Sequence, residues 1–267
     1  MDSTRIDPRL PSSEDLPHCD ETPVDNEDQN LLPNWLFAVL EEIWADRPDW
    51  YFAVDMAIYD REGQRRRAPT IIPDGFLALG VPRYRYPDRG RLSYVIAEEN
   101  DIVPQFALEY VSHSYGGEYD QKFEIYAQLG VLYYAIYNEQ QRHSRRKIRY
   151  QGWGVHRNGN RTNLPPDSTP VDPLEIYRLH QGHYERVPGD PVWMPEIGLG
   201  LGRVQGVMQG RSREWLAWFN GAGVPYPLIQ EQLHQERQRA DDERSARLAL
   251  LAKLEAMGID LDSLQDN

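Results

Sequence analysis

The sequence predicts a mixed α+β (α/β) fold whose core runs helix, three strands, helix, strand, with extra β-strands and a charged helix following it. Three observations predict this. Residues 30–44 carry Leu31, Leu32, Trp35, Leu36, Val39, Leu40 and Ile43 at helical spacing. Three apolar runs, 51–59, 71–79 and 102–111, read as strands, and the last two each hold one acid, Asp74 and Glu109. Residues 118–129 read as a helix ended by Gly130, and 131–137 as a nearly continuous apolar strand suited to a sheet covered on both faces.

Each element has its own signal. Residues 1–29 mix Asp, Glu, Pro and Ser with few apolar side chains, so an acidic disordered leader is expected. Pro33 suits the first turn of the first helix. In 51–59, Phe52, Val54, Met56 and Ile58 alternate with Ala53, Asp55 and Ala57, the period of a strand. Residues 61–67 are a charged connection with Gly63 as its turn residue. Residues 80–100 form a loop rich in Pro, Arg and Tyr, and 113–117 a Ser/Gly turn. Beyond 145 the pattern is all-β: 148–155, 176–179 and 184–187 read as strands, the last two joined at Gln181-Gly182. Residues 141–172 hold an insertion, and 197–219 supply more apolar surface. The expected domain therefore spans 30–225, with its core at 30–140 and a β extension at 145–225. Residues 226–267 hold a charged helix whose apolar positions, Leu233, Leu248, Leu251, Leu254 and Met257, make at most a weak coiled coil.

Composition narrows the function classes. Cys19 is the only cysteine, which excludes a disulfide framework and fits a cytoplasmic location. No apolar run is long enough for a membrane span, so no membrane partner is expected. The net charge of −13 argues against nucleic acid until its distribution is seen. Residues 1–30 carry −7 and residues 231–267 carry −4, which leaves the 200 residues between them only −2 of the total. Arg61, Arg65, Arg66, Arg67, Arg83, Arg85, Arg89 and Arg91 bracket Asp74, and Arg142, Arg145, Arg146, Lys147 and Arg149 follow the last core strand. Such patches read either as phosphate contacts or as solvated loops.

A carboxylate inside an apolar strand is costly unless a metal or a partner takes its charge. Asp74, Glu109 and Lys122 on adjacent elements are what a Mg²⁺-dependent phosphodiesterase needs: two oxygen ligands and a cation. The main-chain carbonyl of Tyr110 is a candidate third ligand. Lys122 and Tyr126 share one helical face, with Glu118 a turn earlier. The same residues could equally be strand-end acids and a surface lysine. Other constellations carry less. Ser112 and His113 lack a nucleophile elbow, His180 and His183 lack a third metal ligand, and the glycines at 198–202 do not open a helix. No organic cofactor is expected. The seven tryptophans read as core.

Residues 31–140 resemble the PD-(D/E)XK nuclease superfamily, and more closely its Uma-type restriction endonucleases. The resemblance is carried by Pro73-Asp74, by Glu109-Tyr110-Val111-Ser112, and by Lys122-Phe123-Glu124-Ile125-Tyr126 before Gly130-Val131. It extends through Gly182-His183-Tyr184, residues 197–201 and 215–219, and the tail at Gly258-Ile259-Asp260. It implies a restriction-endonuclease-like core and a metal-dependent endonuclease, a hydrolase acting on DNA. It further implies Mg²⁺ or Mn²⁺ on Asp74, Glu109 and Tyr110, Lys122 as the catalytic cation, Tyr126 and Glu118 as support, and a homodimer. Two departures stand out: Val111 occupies the place of the superfamily's usual lysine, and Glu118 stands where the family often has Asp. The alternative is a non-catalytic nucleic-acid-binding or assembly protein that keeps the nuclease fold.

Overall fold

The structure is a computed structural model and describes Ser12 and residues 27–111, 117–139, 172–208, 210–227 and 229–256. The expected disorder of most of the leader, the strand at 148–155, and Ser112 and His113 lie outside the described residues.

Among the described residues four helices and eleven strands follow in the order α1 (Glu27–Ile43), β1 (Trp50–Val54), β2 (Ile58–Tyr59), α2 (Arg61–Arg66), β3 (Gly75–Leu79), β4 (Tyr94–Val95), β5 (Phe106–Tyr110), α3 (Gln121–Leu129), β6 (Tyr133–Tyr137), β7 (Leu174–His180), β8 (His183–Val187), β9 (Val192–Met194), β10 (Leu199–Met208), β11 (Arg211–Phe219) and α4 (Ile229–Ala256). A short 3-10 turn, Ile96–Glu99, follows β4.

Six strands form the main sheet in the order β1-β3-β5-β6-β7-β8. Only β5 and β6 are parallel, and α3 makes the crossover between them. β9, β10 and β11 form a separate antiparallel sheet, and β2 pairs with β4. Alternation along the strands separates two cores. On one face Phe52, Leu77, Phe106, Leu108, Tyr133 and Ile176 pack against Leu32, Leu36 and Leu40 of α1 and against Trp215 and Trp218 of the small sheet. On the other, Phe76, Ala107, Tyr134, Ile136 and Tyr177 pack against Tyr126 of α3 and Tyr94 of β4. The main sheet is thus covered on both sides, as the apolar β5 and β6 require.

Several expectations are revised. α1 begins at Glu27 rather than residue 30, which moves Pro33 from the first turn into the second. The strand expected over 51–59 breaks at Asp55, whose φ of 49° is left-handed; the pairing with β3 ends at Val54 and Gly75. The 61–67 connection is the helix α2, capped by Asp60, which accepts the Gly63 N–H. Gly63 is there for space rather than for a turn, since a Cβ would lie 2.6 Å from Thr70 Oγ1. The expected hairpin at Gln181-Gly182 joins β7 to β8, and it extends the main sheet. α4 is a helix with Leu248 and Leu250 exposed. No described helix is long and apolar enough to cross a membrane.

Of the arginines bracketing Asp74, Arg61, Arg65, Arg66, Arg67 and Arg89 are exposed, while Arg83, Arg85 and Arg91 are partly or wholly buried against acids. Arg83 pairs with Glu41 at 2.6 Å, Arg61 with Asp101 at 3.3 Å, and Arg85 and Arg91 both with Glu99 at 2.8 Å. Arg91 also donates to the carbonyl of Pro82 at 2.7 Å and lies 4.1 Å over the Tyr51 ring. Arg83 ties the 80–100 loop to α1 through Glu41, and Arg85 and Arg91 tie its two ends together through Glu99.

Candidate metal centre

Strand register assembles the site. Gly75 pairs with Leu108 across β3 and β5, so Asp74, one residue before, comes opposite Glu109. Residues directly opposite in an antiparallel pair point to the same face. Alternation from Phe76 and Ala107 places that face toward α3. The helix is fixed by Asp120 at its start and by Gly130 at its end. At φ 89° Gly130 takes the left-handed cap conformation and donates its N–H to the carbonyls of Tyr126 and Ala127. Lys122 and Tyr126, one turn apart, then look down on Glu109.

The carboxylate oxygens are each met by a donor. Lys122 Nζ lies 2.8 Å from Glu109 Oε2, and the Tyr126 hydroxyl donates to Oε1 at 2.6 Å. The Tyr110 N–H donates to Asp74 Oδ2 at 2.5 Å, and Gln29 Nε2 donates to Oδ1 at 2.9 Å. Glu109 is wholly buried and Asp74 nearly so. The two carboxyls, opposite each other in register, are near enough for the Asp74 charge to raise the Glu109 pKa.

Burial and charge explain the electrostatics. Burial, then the neighbouring Asp74 charge, pushes the Glu109 carboxyl up to about 8 against the pull of Lys122. Burial also raises Asp74, partly offset by the Tyr110 N–H, Lys122 and Gln29. Burial works against the Lys122 ammonium, but Glu109 and Asp74 outweigh it and raise its pKa. One ammonium therefore faces two buried carboxyls, a deficit of positive charge.

The structure brings the expected residues together with adjustments. Tyr126 is fully buried, with its hydroxyl on Glu109, so it supports that carboxylate and is closed off from phosphate. Glu118 is buried just ahead of α3; its carbonyl accepts from the Tyr134 hydroxyl at 2.8 Å and its charge acts on Lys122. Tyr110 reaches the site through its N–H. His180 and His183 are exposed cross-strand partners at the hairpin tip.

Three residues at the site escaped the sequence reading. Gln29 read as the end of the leader and Asn30 only as the start of the first helix, yet Gln29 holds Asp74 and Asn30 Nδ2 donates to Asp55 Oδ2 at 3.3 Å. Asp55 stands at the break after β1, where its N–H donates to the Asp74 carbonyl at 3.3 Å. Its carboxyl is raised by burial and by the Asp74 charge. Nothing in the strand alternation marks that break; the helical signal could have been extended back by a turn.

The donor set fits a hard divalent cation. Asp74 and Glu109 offer oxygen alone, and an added cation would offset the deficit that raises both carboxyls. Among the described residues no cluster of three or more His, Cys, Asp or Glu is arranged to hold a metal, so the remaining ligands would be main-chain oxygen and water.

No curated protein and no solved structure matches the chain significantly. A family profile does: residues 20–205 match Uma2, described as putative restriction endonuclease. The match covers well over half of the chain and includes all the residues of this site, so the chain belongs to the Uma2 family, within the restriction-endonuclease-like PD-(D/E)XK superfamily.

Proposed function

We propose that the chain is a Mg²⁺-dependent endonuclease that hydrolyses DNA phosphodiester bonds. The observation that carries the reading is the facing pair Asp74 and Glu109, with Lys122 Nζ 2.8 Å from Glu109. Asp74, Glu109 and the Tyr110 carbonyl would hold the cation, Mg²⁺ or Mn²⁺. When bound, it supplies charge for the scissile phosphate and a lowered pKa for a coordinated water. Tyr126 and Gln29 hold the two carboxylates in place. Lys122, part-exposed where Glu109 is not, presents its ammonium N–H groups to a phosphate oxygen as negative charge builds there. Glu118 holds the segment that carries Lys122. The nuclease unit is placed at 30–225, and α4 would serve self-association into a homodimer as a weak coiled coil. A single cysteine fits a cytoplasmic setting.

One observation favours a second reading, a non-catalytic nucleic-acid-binding or assembly protein that keeps the fold. Arg61, Arg83 and Arg85, among the arginines that bracket Asp74 in sequence, are engaged by Asp101, Glu41, Glu98 and Glu99, which weakens the case for a basic DNA track along them.

Cleavage of supercoiled plasmid and of single-stranded DNA separates the two. The wild type, Asp74→Ala and Lys122→Ala are compared with Mg²⁺, Mn²⁺ or EDTA. The enzyme reading expects metal-dependent cutting by the wild type that both substitutions remove. Equal cutting by all three would assign the activity to a contaminant and overturn it.

A further inference from the structure

Asp74 is held from two directions. The Tyr110 N–H takes Oδ2 from the neighbouring strand, and Gln29 Nε2 takes Oδ1 from the first turn of α1. The main-chain donor is fixed by β5. The side-chain donor depends on where α1 sits, and two features fix that position. Gly75, next to Asp74, has no side chain, and a Cβ there would lie 3.2 Å from Pro33 Cβ; its absence lets the helix close on the strand. On the outer side both Asp28 oxygens are gripped by Arg213, at 2.6 and 2.9 Å. That guanidinium lies 4.1 Å over the Trp215 ring and 3.8 Å from Glu139 at the end of β6.

We propose that Gln29 is a positioning residue for Asp74. The proposal rests on the metal-centre reading above. A neutral amide suits this role for a chemical reason. A lysine or arginine in its place would compete with the bound cation for Asp74, and a carboxylate would add a further repelling charge to Asp55, Asp74 and Glu109. An amide orients one oxygen by donation, leaves its second lone pair open, and adds no net charge. Groups that orient a metal ligand in this way typically change metal affinity roughly 10- to 100-fold when removed.

The test measures Mn²⁺ binding to the full chain by electron paramagnetic resonance, without DNA, alongside thermal melting. Gln29→Ala and the shape-conserving Gln29→Met are compared with Asp74→Ala and with Arg213→Gln. The last loosens the helix but keeps the amide. The expected result is Mn²⁺ affinity lowered roughly 10- to 100-fold in both Gln29 variants. The bound-Mn²⁺ spectrum should change with it, while Arg213→Gln, which loosens the seat of Gln29 without removing its amide, lowers the melting temperature and lowers affinity by less than either Gln29 variant does. Gln29 variants that bind Mn²⁺ like wild type would overturn the positioning role, as would an Arg213→Gln variant that loses as much affinity as they do. A wild type with no Asp74-dependent Mn²⁺ signal would overturn the metal-centre reading itself, a result the Gln29 comparison cannot produce.

Discussion

Glu99 and Glu109 are both buried glutamates, and the chain surrounds them in opposite ways. Glu99 is met by two guanidiniums: Arg85 at 2.8 Å, and Arg91 through both Nε and Nη2, at 2.8 and 3.2 Å. Glu109 is met by one ammonium and one phenol, and a second buried carboxyl lies against it. Around Glu99 the cations match or exceed the acids, so the cluster is complete without any added charge. Around Asp74 and Glu109 there is one cation for two acids. A carboxylate with its charge answered is a fastening; carboxylates left short of charge make a place where a cation belongs.

That contrast can be broken by substitution, and the largest effect should come from the completed cluster. Arg91→Ala leaves Glu99 buried with half of its partners and should cost about 3–5 kcal/mol of stability, read by chemical denaturation. Glu109→Gln, by contrast, should stabilise the metal-free protein at neutral and higher pH.

The next effect follows from the raised Glu109 carboxyl. Its folded pKa of about 8 exceeds its ordinary value of 4.5, so the neutral form is the one the fold favours. Its contribution to stability is fully present below pH 4.5 and is lost as pH rises through 8. By pH 7 the loss is on the order of 3 kcal/mol. Denaturation of wild type and Glu109→Gln across this window should show a difference that grows with pH; parallel curves would refute the assignment.

Adding a cation should reverse the deficit on one side of the comparison alone. Mn²⁺ at about 100 times its dissociation constant should stabilise the wild type by about 2.7 kcal/mol. Asp74→Ala should not respond, and Arg91→Ala should respond by the same increment as wild type. The smallest effect belongs to exposed pairs. Arg65 and Glu62 lie 3.6 Å apart with both side chains more than half exposed, and Arg65→Ala should shift stability by less than about 0.5 kcal/mol.

Much of the site was legible because its acids stand out against apolar strands, and because the helical spacing of Lys122 and Tyr126 is local. The α1 face, the hairpin at Gln181-Gly182 and the Gly130 cap were legible for the same reason: each is written within a few neighbouring residues. What could not be read depends on distance along the chain or on one backbone angle. The pairing of Arg83 with Glu41 joins residues 42 apart, so the arginines looked free in sequence. Asp55 keeps the alternation of a strand on either side of it, and only its left-handed φ breaks the run. Gln29 is a polar residue at the end of an acidic leader, and nothing local separates it from that leader. The packing of Gly63 against Thr70 is likewise visible only once the chain has folded back.

The fastening of α1 bears on how the protein is made. Trp218 Nε1 donates to the Leu36 carbonyl across 182 positions of sequence, and Arg213 grips Asp28 across 185. On a ribosome the first helix, Asp74, Glu109 and Lys122 all emerge well before β11. A nascent chain that stops short of β11 holds every acid of the centre but lacks the anchor that seats Gln29. Completion of the site is tied to near-completion of synthesis, so fragments released early would lack a finished site. Contacts of such long range also slow folding; here that delay falls on the element that finishes the site.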